Sequence, residues 1–450
     1  MVGSYYNVVA TAPDGIRVAN VRTGAVLEFD HAEWEGVRAD LTGTPSQTGV
    51  PSELADALRQ AGLIVEDQAA ERREAFHQHM ELKYNTRQLH LILLPTEQCN
   101  FRCVYCYETF PRGRMPAWVR RAVVRFAESR LDNMHELRVS WFGGEPLAAL
   151  NVMEEISTAI MPRCEKLGVS YRASVTTNGY LLTEAVFRKL LAWNVRHIQV
   201  TLDGPADTHD SLRVLASGKP TFAKIWSNVQ RIARLADLPE TFSFKIRINF
   251  TPESLPRVPA LLYQLSALFQ GNPRFGVFLR PVGKWGGPND ASLDVFDTVA
   301  AMEQAMTLAQ DAWVHGASCA DPIFEDLRPG GTACYASQPT SFIIGADATV
   351  YKCTVALYDD RNRVGALQPN GEMLLDEKKL SAWVKADGAS DQECRDCVLY
   401  PSCQGEACPL IRIRQRTRPC PATKPLVEAQ RLRAPAEVAA VESAATKDVT

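Results

Sequence analysis

The stretch LLPTEQCNFRCVYCYETF, residues 93–110, places three cysteines within eight residues of one another. Cys99, Cys103 and Cys106 directly follow the apolar run 89–94, and their spacing is C-x3-C-x2-C. A loop this short brings three sulfurs around one centre, and thiolates select zinc or the iron of iron–sulfur clusters. A structural zinc site closes with four ligands, and no fourth Cys or His lies nearby in the sequence. Three thiolates instead leave one iron of a [4Fe–4S] cluster without a protein ligand.

The composition excludes several other classes of protein. The chain has 450 residues, 46% of them hydrophobic, and a formal net charge of −3, so no global basic field attracts nucleic acid. The N-terminal residues 1–15 lack the cationic and apolar regions of a secretory signal, and no apolar run reaches the length of a membrane span. Twelve cysteines without an export signal indicate metal ligation rather than disulfides. We expect a cytoplasmic metalloprotein without a nucleic-acid or membrane partner.

From residue 87 onward the hydrophobic pattern alternates between strands and helices, which predicts parallel β/α units. The predicted strands are 90–94, 137–141, 170–176, 197–202, 243–250 and 276–280. The predicted helices are 117–131, 152–167, 184–193, 223–236 and 258–268. Six such units predict an α/β fold with a partial (β/α)6 TIM-like barrel, in which sites gather at the C-terminal strand ends.

Polar motifs follow the predicted strands at those ends. WFGGEP (141–146) follows the second strand, and its glycine pair lets backbone carbonyls approach an ammonium group, although a simple turn also uses such a pair. TNG (177–179) follows the third strand, and TLDGPADTHDSLR (201–213) follows the fourth. Arg213 at the end of that run can pair with a ligand carboxylate, or it can form an ordinary helix-capping ion pair. His197 and His209 are interpreted as structural.

Together these motifs resemble the signature of the radical SAM superfamily. The resemblance implies that Cys99, Cys103 and Cys106 hold a [4Fe–4S] cluster whose open iron chelates S-adenosylmethionine (SAM). It implies reductive cleavage of SAM to a 5′-deoxyadenosyl radical, and it assigns no catalytic base. Thr201 replaces the Ser of the family pattern and keeps its hydroxyl. The cofactor-binding residues that the resemblance implies are Tyr105, Gly143, Gly144, Glu145, Pro146, Asn178, Thr201 and Arg213.

A second group of cysteines lies in the last third of the chain, where ECRDCVLYPSC (393–403) has the C-x2-C-x5-C spacing of a metal-binding loop. The group resembles the SPASM extension of radical SAM enzymes, which implies two auxiliary [4Fe–4S] clusters. The resemblance assigns one cluster to Cys394, Cys397, Cys403 and Cys420. It assigns the other to Cys334, Cys353 and Cys408, with Cys319 as the candidate fourth ligand and an open iron as the alternative.

This C-terminal group departs from the family pattern at two points. Cys403 and Cys408 enclose four residues where the pattern has three, and Ala348 stands where the pattern has glycine. A zinc ribbon is the alternative interpretation of the same cysteines. Cys164, on an apolar helical stretch, is predicted to be a buried small hydrophobe.

The predicted domains are an N-terminal α+β module (1–86), the radical SAM core (87–315), the SPASM domain (316–425) and a mobile tail (426–450). In the N-terminal module we predict strands at 5–10, 16–21 and 25–29 and helices at 31–41 and 52–61. The module resembles the leader-peptide-binding modules of peptide-modifying radical SAM enzymes. The alternative is a packing extension that covers one end of the barrel. His77 and His79, in a charged helical segment, are predicted to be solvated.

The position after Cys353 bears on the reaction. In sulfatase-maturing relatives an Asp follows the corresponding Cys, whereas Thr354 stands here. The absence of this Asp favours a maturase that forms a thioether or carbon–carbon cross-link in a ribosomal precursor peptide made of leader and core. Oxidation of a Ser or Cys in a protein partner and a non-catalytic zinc scaffold are the alternatives. The expected electron donor is a flavodoxin or ferredoxin.

Overall fold

A computed structural model describes residues 1–12, 15–42, 52–314, 316, 319 and 327–428. The chain forms two compact units. The first comprises the described parts of Met1–Tyr84, Pro322–Ser337 and Lys385–Thr450, and the second those of Asn85–Asp321 and Gln338–Val384. Beyond residue 428, the predicted tail lies outside the described residues. No helix among the described residues combines the length and apolarity needed to cross a membrane.

The first unit begins with a small α+β module. Its strands are β1 (Val2–Gly3), β2 (Asn7–Ala12), β3 (Gly15–Asn20), β4 (Val26–Phe29) and β5 (Ile64–Val65). Its helices are α1 (His31–Thr42), α2 (Ser52–Gln60) and α3 (Gln68–Lys83). Strands β2, β3 and β4 form an antiparallel sheet, and β1 pairs with β5. The predicted strands and helices of this module are therefore confirmed to within two residues.

Local side chains explain where α1 begins and what its inner face packs against. Asp30 accepts a hydrogen bond from the amide of Glu33 at 2.8 Å, and Glu33 accepts one from the amide of Asp30 at 2.9 Å. This reciprocal pair satisfies amide groups that the first turn of a helix leaves free. Trp34, on the inner face of α1, is buried in a cluster that includes Phe29 and Leu63. The module therefore has its own hydrophobic core.

The second unit is built on a ten-stranded mixed sheet, beside which a separate two-stranded ladder forms from β7 and β11. The strands are β6 (Gln88–Leu93), β7 (Phe101–Cys103), β8 (Glu136–Trp141), β9 (Ser170–Thr177), β10 (Val195–Thr201), β11 (Arg213–Leu215), β12 (Ser243–Phe250), β13 (Phe275–Pro281), β14 (Ser341–Ile344), β15 (Thr349–Tyr351), β16 (Arg363–Leu367) and β17 (Met373–Leu375). The order in the large sheet is β13-β12-β10-β9-β8-β6-β14-β15-β16-β17. Neighbours from β13 to β14 are parallel, and those from β14 to β17 are antiparallel.

The helices of the second unit include those that connect the parallel strands. They are α4 (Ala117–Glu128), α5 (Leu150–Leu167), α6 (Glu184–Ala192), α7 (Ala206–Leu212), α8 (Phe222–Ala233), α9 (Val258–Phe269), α10 (Thr298–Val314) and α11 (Glu377–Val384). The six predicted barrel strands are confirmed to within two residues and the five predicted helices to within three, as is the α/β class with the six parallel β/α units of a partial barrel. The sequence did not indicate that β14 continues this sheet beside β6, where Ser341 pairs with His90.

The cysteine-rich part of the first unit contains three short helices and a buried ionic cluster. The helices are α12 (Gln392–Arg395), α13 (Tyr400–Cys403) and α14 (Pro409–Gln415). Lys83, at the end of α3, donates to Glu406 at 2.6 Å and also to Asp387. His79, also on α3, lies 2.7 Å from the hydroxyl of Tyr400 and is 1% exposed, so the prediction that it is solvated is wrong. Helix α3 is thus bonded to the cysteine-rich segment within one unit.

Candidate active site

The C-terminal ends of the parallel strands surround a cleft of about 960 Å³, measured to its open mouth. Of the predicted residues, the cleft brings together Cys99, Cys103, Cys106, Tyr105, Gly143, Gly144, Asn178, Thr201 and Arg213. Glu145 and Pro146 do not line it. The cleft therefore unites residues from four of the sequence motifs.

The glycine pair allows two backbone segments to approach each other closely. Gly143 has a φ of +109°, which favours glycine, and a Cβ there would lie 2.5 Å from the carbonyl oxygen of Thr96. A Cβ on Gly144 would lie 2.4 Å from the carbonyl oxygen of Gln98. Gln98 immediately precedes Cys99, so these glycines set how closely the turn after β8 packs on the cysteine loop.

Glu145 stabilises this turn through hydrogen bonds and does not line the cleft. Its side chain is fully buried and accepts hydrogen bonds from the amides of Leu147 (3.0 Å) and Asn178 (2.8 Å) and from the hydroxyl of Thr177 (2.7 Å). Burial nevertheless raises the pKa of this carboxyl above its usual range. These bonds join the ends of β8 and β9, so Glu145 acts on the cleft through Asn178.

A buried polar network links the cysteine loop to the strands β10 and β12. The Tyr105 hydroxyl donates to Asp203 and accepts from Arg213 at 2.6 Å and from the Asn249 amide group at 3.1 Å. Asp203 also accepts from the backbone amide of Asn249 at 2.9 Å and lies 3.7 Å from Arg213. Burial raises the pKa of Asp203, although Arg213 opposes the rise. Arg213 is therefore the C-cap residue of the helix 206–212, where its backbone N–H donates to His209, and its side chain is oriented by this network.

The three thiols of the loop lie in one wall of the cleft. Cys103 on β7 is paired with Arg213 on β11, and Asn178 holds Asn100 at 2.8 Å beside Cys99. Burial raises the pKa of Cys99 and of Cys106 to about 12, so a cationic centre is needed to hold them as thiolates. Among the described residues, no fourth Cys or His lines the cleft. Three thiols with no fourth protein ligand fit a [4Fe–4S] cluster with one open iron.

The cleft residues that the sequence did not indicate include Glu108, Gln199, Arg247 and Trp285. Glu108 is buried, its Oε2 atom has no hydrogen-bond partner in the described part of the chain, and burial raises its pKa to about 8. Arg247 on β12 donates to Asn249 at 2.8 Å, and burial and Arg280 lower its pKa. Gln199 and Trp285 also line the cleft, and Trp285 is 50% exposed. Alternation along β12 was the available signal for Arg247; none indicated Glu108.

The cysteine-rich segment contains a second cavity, of about 580 Å³ to its opening. Cys394, Cys397, Cys403 and Cys420 all line it, as the predicted cluster requires. Four thiols around one cavity fit a [4Fe–4S] cluster or a zinc ion. Of the other predicted set, Cys334 and Cys408 belong to the first unit, whereas Cys319 and Cys353 belong to the second, so that set stays a prediction. Cys164 is buried, as predicted.

Comparison with known proteins identifies the class. The Radical SAM superfamily model matches residues 93–244. The GTP 3′,8-cyclase of Gloeobacter violaceus is 27% identical over 56% of this chain and 70% of its own length. The cysteine-type anaerobic sulfatase-maturating enzyme of Clostridium perfringens (strain 13 / Type A) is 22% identical over 70% of this chain and 88% of its own length. The solved structure of native anSMEcpe with bound AdoMet superposes with a TM-score of 0.55 at 18% identity, covering 77% of this chain and 96% of that one.

The match at residues 93–244, with the three-thiol cleft and the parallel β/α sheet, identifies a Radical SAM domain, which indicates an enzyme and implies SAM and a [4Fe–4S] cluster. Within that class the protein is related to the anaerobic sulfatase-maturating enzymes.

Proposed function

We propose that this enzyme forms a thioether or carbon–carbon cross-link in a ribosomally made precursor peptide. The observation that carries the proposal is the cleft, whose lining combines the three thiols with the half-exposed Trp285. The sulfatase-maturating relatives support a peptide substrate, because one solved structure of native anSMEcpe has bound AdoMet and the Cp18Cys peptide. Thr354, in place of the Asp of sulfatase maturases, supports cross-linking over formylglycine formation.

The residues of the cleft would bind and orient the reactants. When bound, SAM and a reduced cluster on Cys99, Cys103 and Cys106 supply a 5′-deoxyadenosyl radical that abstracts a hydrogen atom from the peptide. Arg213, held by the hydroxyl of Tyr105, would pair with the SAM carboxylate.

Three further groups of the cleft complete this cofactor site. Carbonyl groups of the Gly143–Gly144 turn would accept hydrogen bonds from the SAM ammonium group. Thr201 and Asn178 add polar contacts on the neighbouring strand ends. Glu145 would support the turn from outside the cleft, because its carboxylate already accepts from three protein donors, and Pro146, which follows it, does not line the cleft either.

The cross-link needs an electron acceptor. Formation of the cross-link removes one hydrogen atom from the peptide, which leaves in 5′-deoxyadenosine. It also removes one proton and one electron, and the electron must be accepted by another group. An auxiliary [4Fe–4S] cluster on Cys394, Cys397, Cys403 and Cys420 is the acceptor that we propose. A second auxiliary cluster would use Cys334, Cys353 and Cys408 with Cys319 or an open position, and a flavodoxin or ferredoxin would reduce the SAM-binding cluster.

The N-terminal module is the proposed binding site for the leader part of the peptide. Its sheet β2-β3-β4 has two edge strands, and an extended peptide can add to such an edge through main-chain hydrogen bonds. The proposed domains remain 1–86 for this module, 87–315 for the core and 316–425 for the SPASM domain.

Oxidation of a Ser or Cys in a protein partner is the second candidate function. The observation that favours it is the match to a sulfatase-maturating enzyme over 88% of that relative's length. The two candidates differ in their products, because oxidation gives an aldehyde at one residue, whereas a cross-link joins two residues.

The test is anaerobic mass spectrometry after incubation of reconstituted enzyme with SAM, a strong reductant and one of two peptides. The first peptide is a precursor peptide taken from any short reading frame that is found beside the gene, and the second carries a sulfatase-type Cys segment. We expect the first peptide to lose two hydrogens, to give no aldehyde that a hydrazide traps, and to yield fragments in which two residues are joined. Aldehyde formation in the second peptide alone would overturn the cross-linking proposal. The Cys103→Ala enzyme is the control, since it lacks one of the three thiols.

A further inference from the structure

The cavity of the four cysteines Cys394, Cys397, Cys403 and Cys420 (the four-thiol cavity) has a cation in its wall. Arg412, on α14, lines the cavity, and its Nη2 atom lies 3.4 Å from the sulfur of Cys394. Nη2 also donates to the carbonyl oxygen of Gly405 at 3.2 Å, and Nη1 donates to Asp391 at 3.4 Å. The Arg412 side chain is only 18% exposed. A guanidinium group is thus held against a sulfur by fixed partners.

Two more observations place positive charge and free donors at this cavity. The Nε atom of Arg412 is buried and has no hydrogen-bond partner in the described part of the chain. Lys424 also lines the cavity, and its ammonium group donates to the sulfur of Cys420 at 3.9 Å. Donors therefore contact two of the four sulfurs, Arg412 that of Cys394 and Lys424 that of Cys420.

Hydrogen bonds and positive charge at cluster sulfurs stabilise the reduced cluster, which carries one more negative charge than the oxidised form. A charge-assisted donor in a partly buried wall acts more strongly than an exposed cation, which solvent and salt screen. We infer that Arg412, assisted by Lys424, raises the reduction potential of the cluster in the four-thiol cavity and so makes it an electron acceptor. The inference rests on the proposed auxiliary cluster at these cysteines.

Arg418 is a useful contrast to Arg412. It lines the same cavity, but its Nε atom donates to Asp391 at 2.7 Å, its Nη1 atom donates to Glu393, and its side chain is 42% exposed. Two carboxylates therefore pair with Arg418, whereas Arg412 shares only Asp391, and within the described part of the chain Arg418 donates to no sulfur. The position of a donor at the sulfur, rather than the number of arginines, distinguishes Arg412.

The experiment is a redox titration followed by electron paramagnetic resonance, with full-length protein in which the loop cysteines Cys99, Cys103 and Cys106 are replaced by Ala. This background removes the signal of the SAM-binding cluster. The titrated reaction is uptake of one electron from dithionite by the cluster of the four-thiol cavity. The same titration of Cys394→Ala/Cys397→Ala in this background gives the signal of the second proposed auxiliary cluster, which is subtracted. In Arg412→Gln we expect the ratio of reduced to oxidised cluster at a fixed potential to fall about tenfold, or about 59 mV for one electron.

Two variants serve as controls. Arg412→Lys keeps the charge and one donor. We expect it to keep at least half of the increase in reduction potential that Arg412 provides. Arg416→Gln removes the same charge from an exposed residue that does not line the cavity, and it is expected to change the ratio less than twofold. An unchanged potential in Arg412→Gln, or equal shifts in Arg412→Gln and Arg416→Gln, would overturn the inference.

Iron and acid-labile sulfide analysis separates this result from a failure of the proposed function. If Cys394→Ala/Cys397→Ala lowers neither iron nor sulfide, no cluster occupies the cavity and the proposed auxiliary cluster itself is refuted. If that pair lowers both, but every Arg412 variant also loses the same four irons, Arg412 acts in assembly and the inference about the potential is refuted. Full loading with a lowered potential supports it.

Discussion

Substitution of Gly144 by Ala tests how tightly the cleft is built. The new Cβ would lie 2.4 Å from the carbonyl oxygen of Gln98, 2.5 Å from its carbonyl carbon and 2.8 Å from the carbonyl oxygen of Glu97. All three are backbone atoms, so no side-chain rotation relieves the contact. To reach an ordinary separation the turn and the cysteine loop must move apart by about 1 Å. Overpacking of this kind costs about 1–3 kcal/mol.

The larger effect of Gly144→Ala is expected on cofactor geometry. Displacement of a reacting group by about 1 Å lowers rates by about 100-fold. We expect 5′-deoxyadenosine formation to fall by about that factor, and the change that SAM causes in the resonance signal of the reduced cluster to be lost. Gly113→Ala is the matched control, because a Cβ there meets no atom within 4 Å. Wild-type 5′-deoxyadenosine formation and a wild-type response to SAM in Gly144→Ala would refute the packing argument.

Three further predictions concern buried polar groups. Lys83→Met leaves two buried carboxylates without their cation and should lower the free energy of unfolding of the metal-free protein in urea by about 3–5 kcal/mol. Adding Glu406→Gln should restore part of this loss, and no recovery would contradict the role of the ion pair. Burial lowers the pKa of His90 to about 4, so as pH falls from about 6.5 towards 4 the unfolded state binds a proton that the folded state does not, and the free energy of unfolding decreases. His90→Gln should remove roughly 2 kcal/mol of the decrease between pH 7 and pH 5, and an unchanged dependence of stability on pH would count against this. Asp203→Asn removes the charged partner of Arg213 and should weaken SAM binding at least tenfold in equilibrium dialysis, whereas unchanged binding would show that the network does not orient Arg213.

The sequence predicted the second unit well because its signals are local. Alternating apolar positions in 137–141 or 243–250 identify a buried strand without reference to the rest of the chain. The spacing of Cys99, Cys103 and Cys106 specifies a three-thiol loop in the same way. Since parallel strands present their C-terminal ends at one edge, the motifs after each strand were expected to meet, and most of them do.

Glu145 shows where local reasoning stops. Its motif indicated a residue at the ligand, whereas Glu145 does not line the cleft, and its carboxylate accepts from Thr177 at the end of β9 and from Asn178 directly after it. A motif specifies which residue type stands at a position. It does not specify which of the available donors that side chain meets once neighbouring strands are in register.

By itself, then, the sequence determined the radical SAM class, the order of the β/α units and the residues of the three-thiol loop, all properties of short segments. Tertiary structure decided the pairing of Tyr105 with Asp203, 98 residues apart, and of Lys83 with Glu406, 323 residues apart. It also decided that His79 is buried. The physical reason is that such pairings depend on which elements pack together. Burying a charge or polar group without a partner is costly, and only the folded chain brings the two partners together.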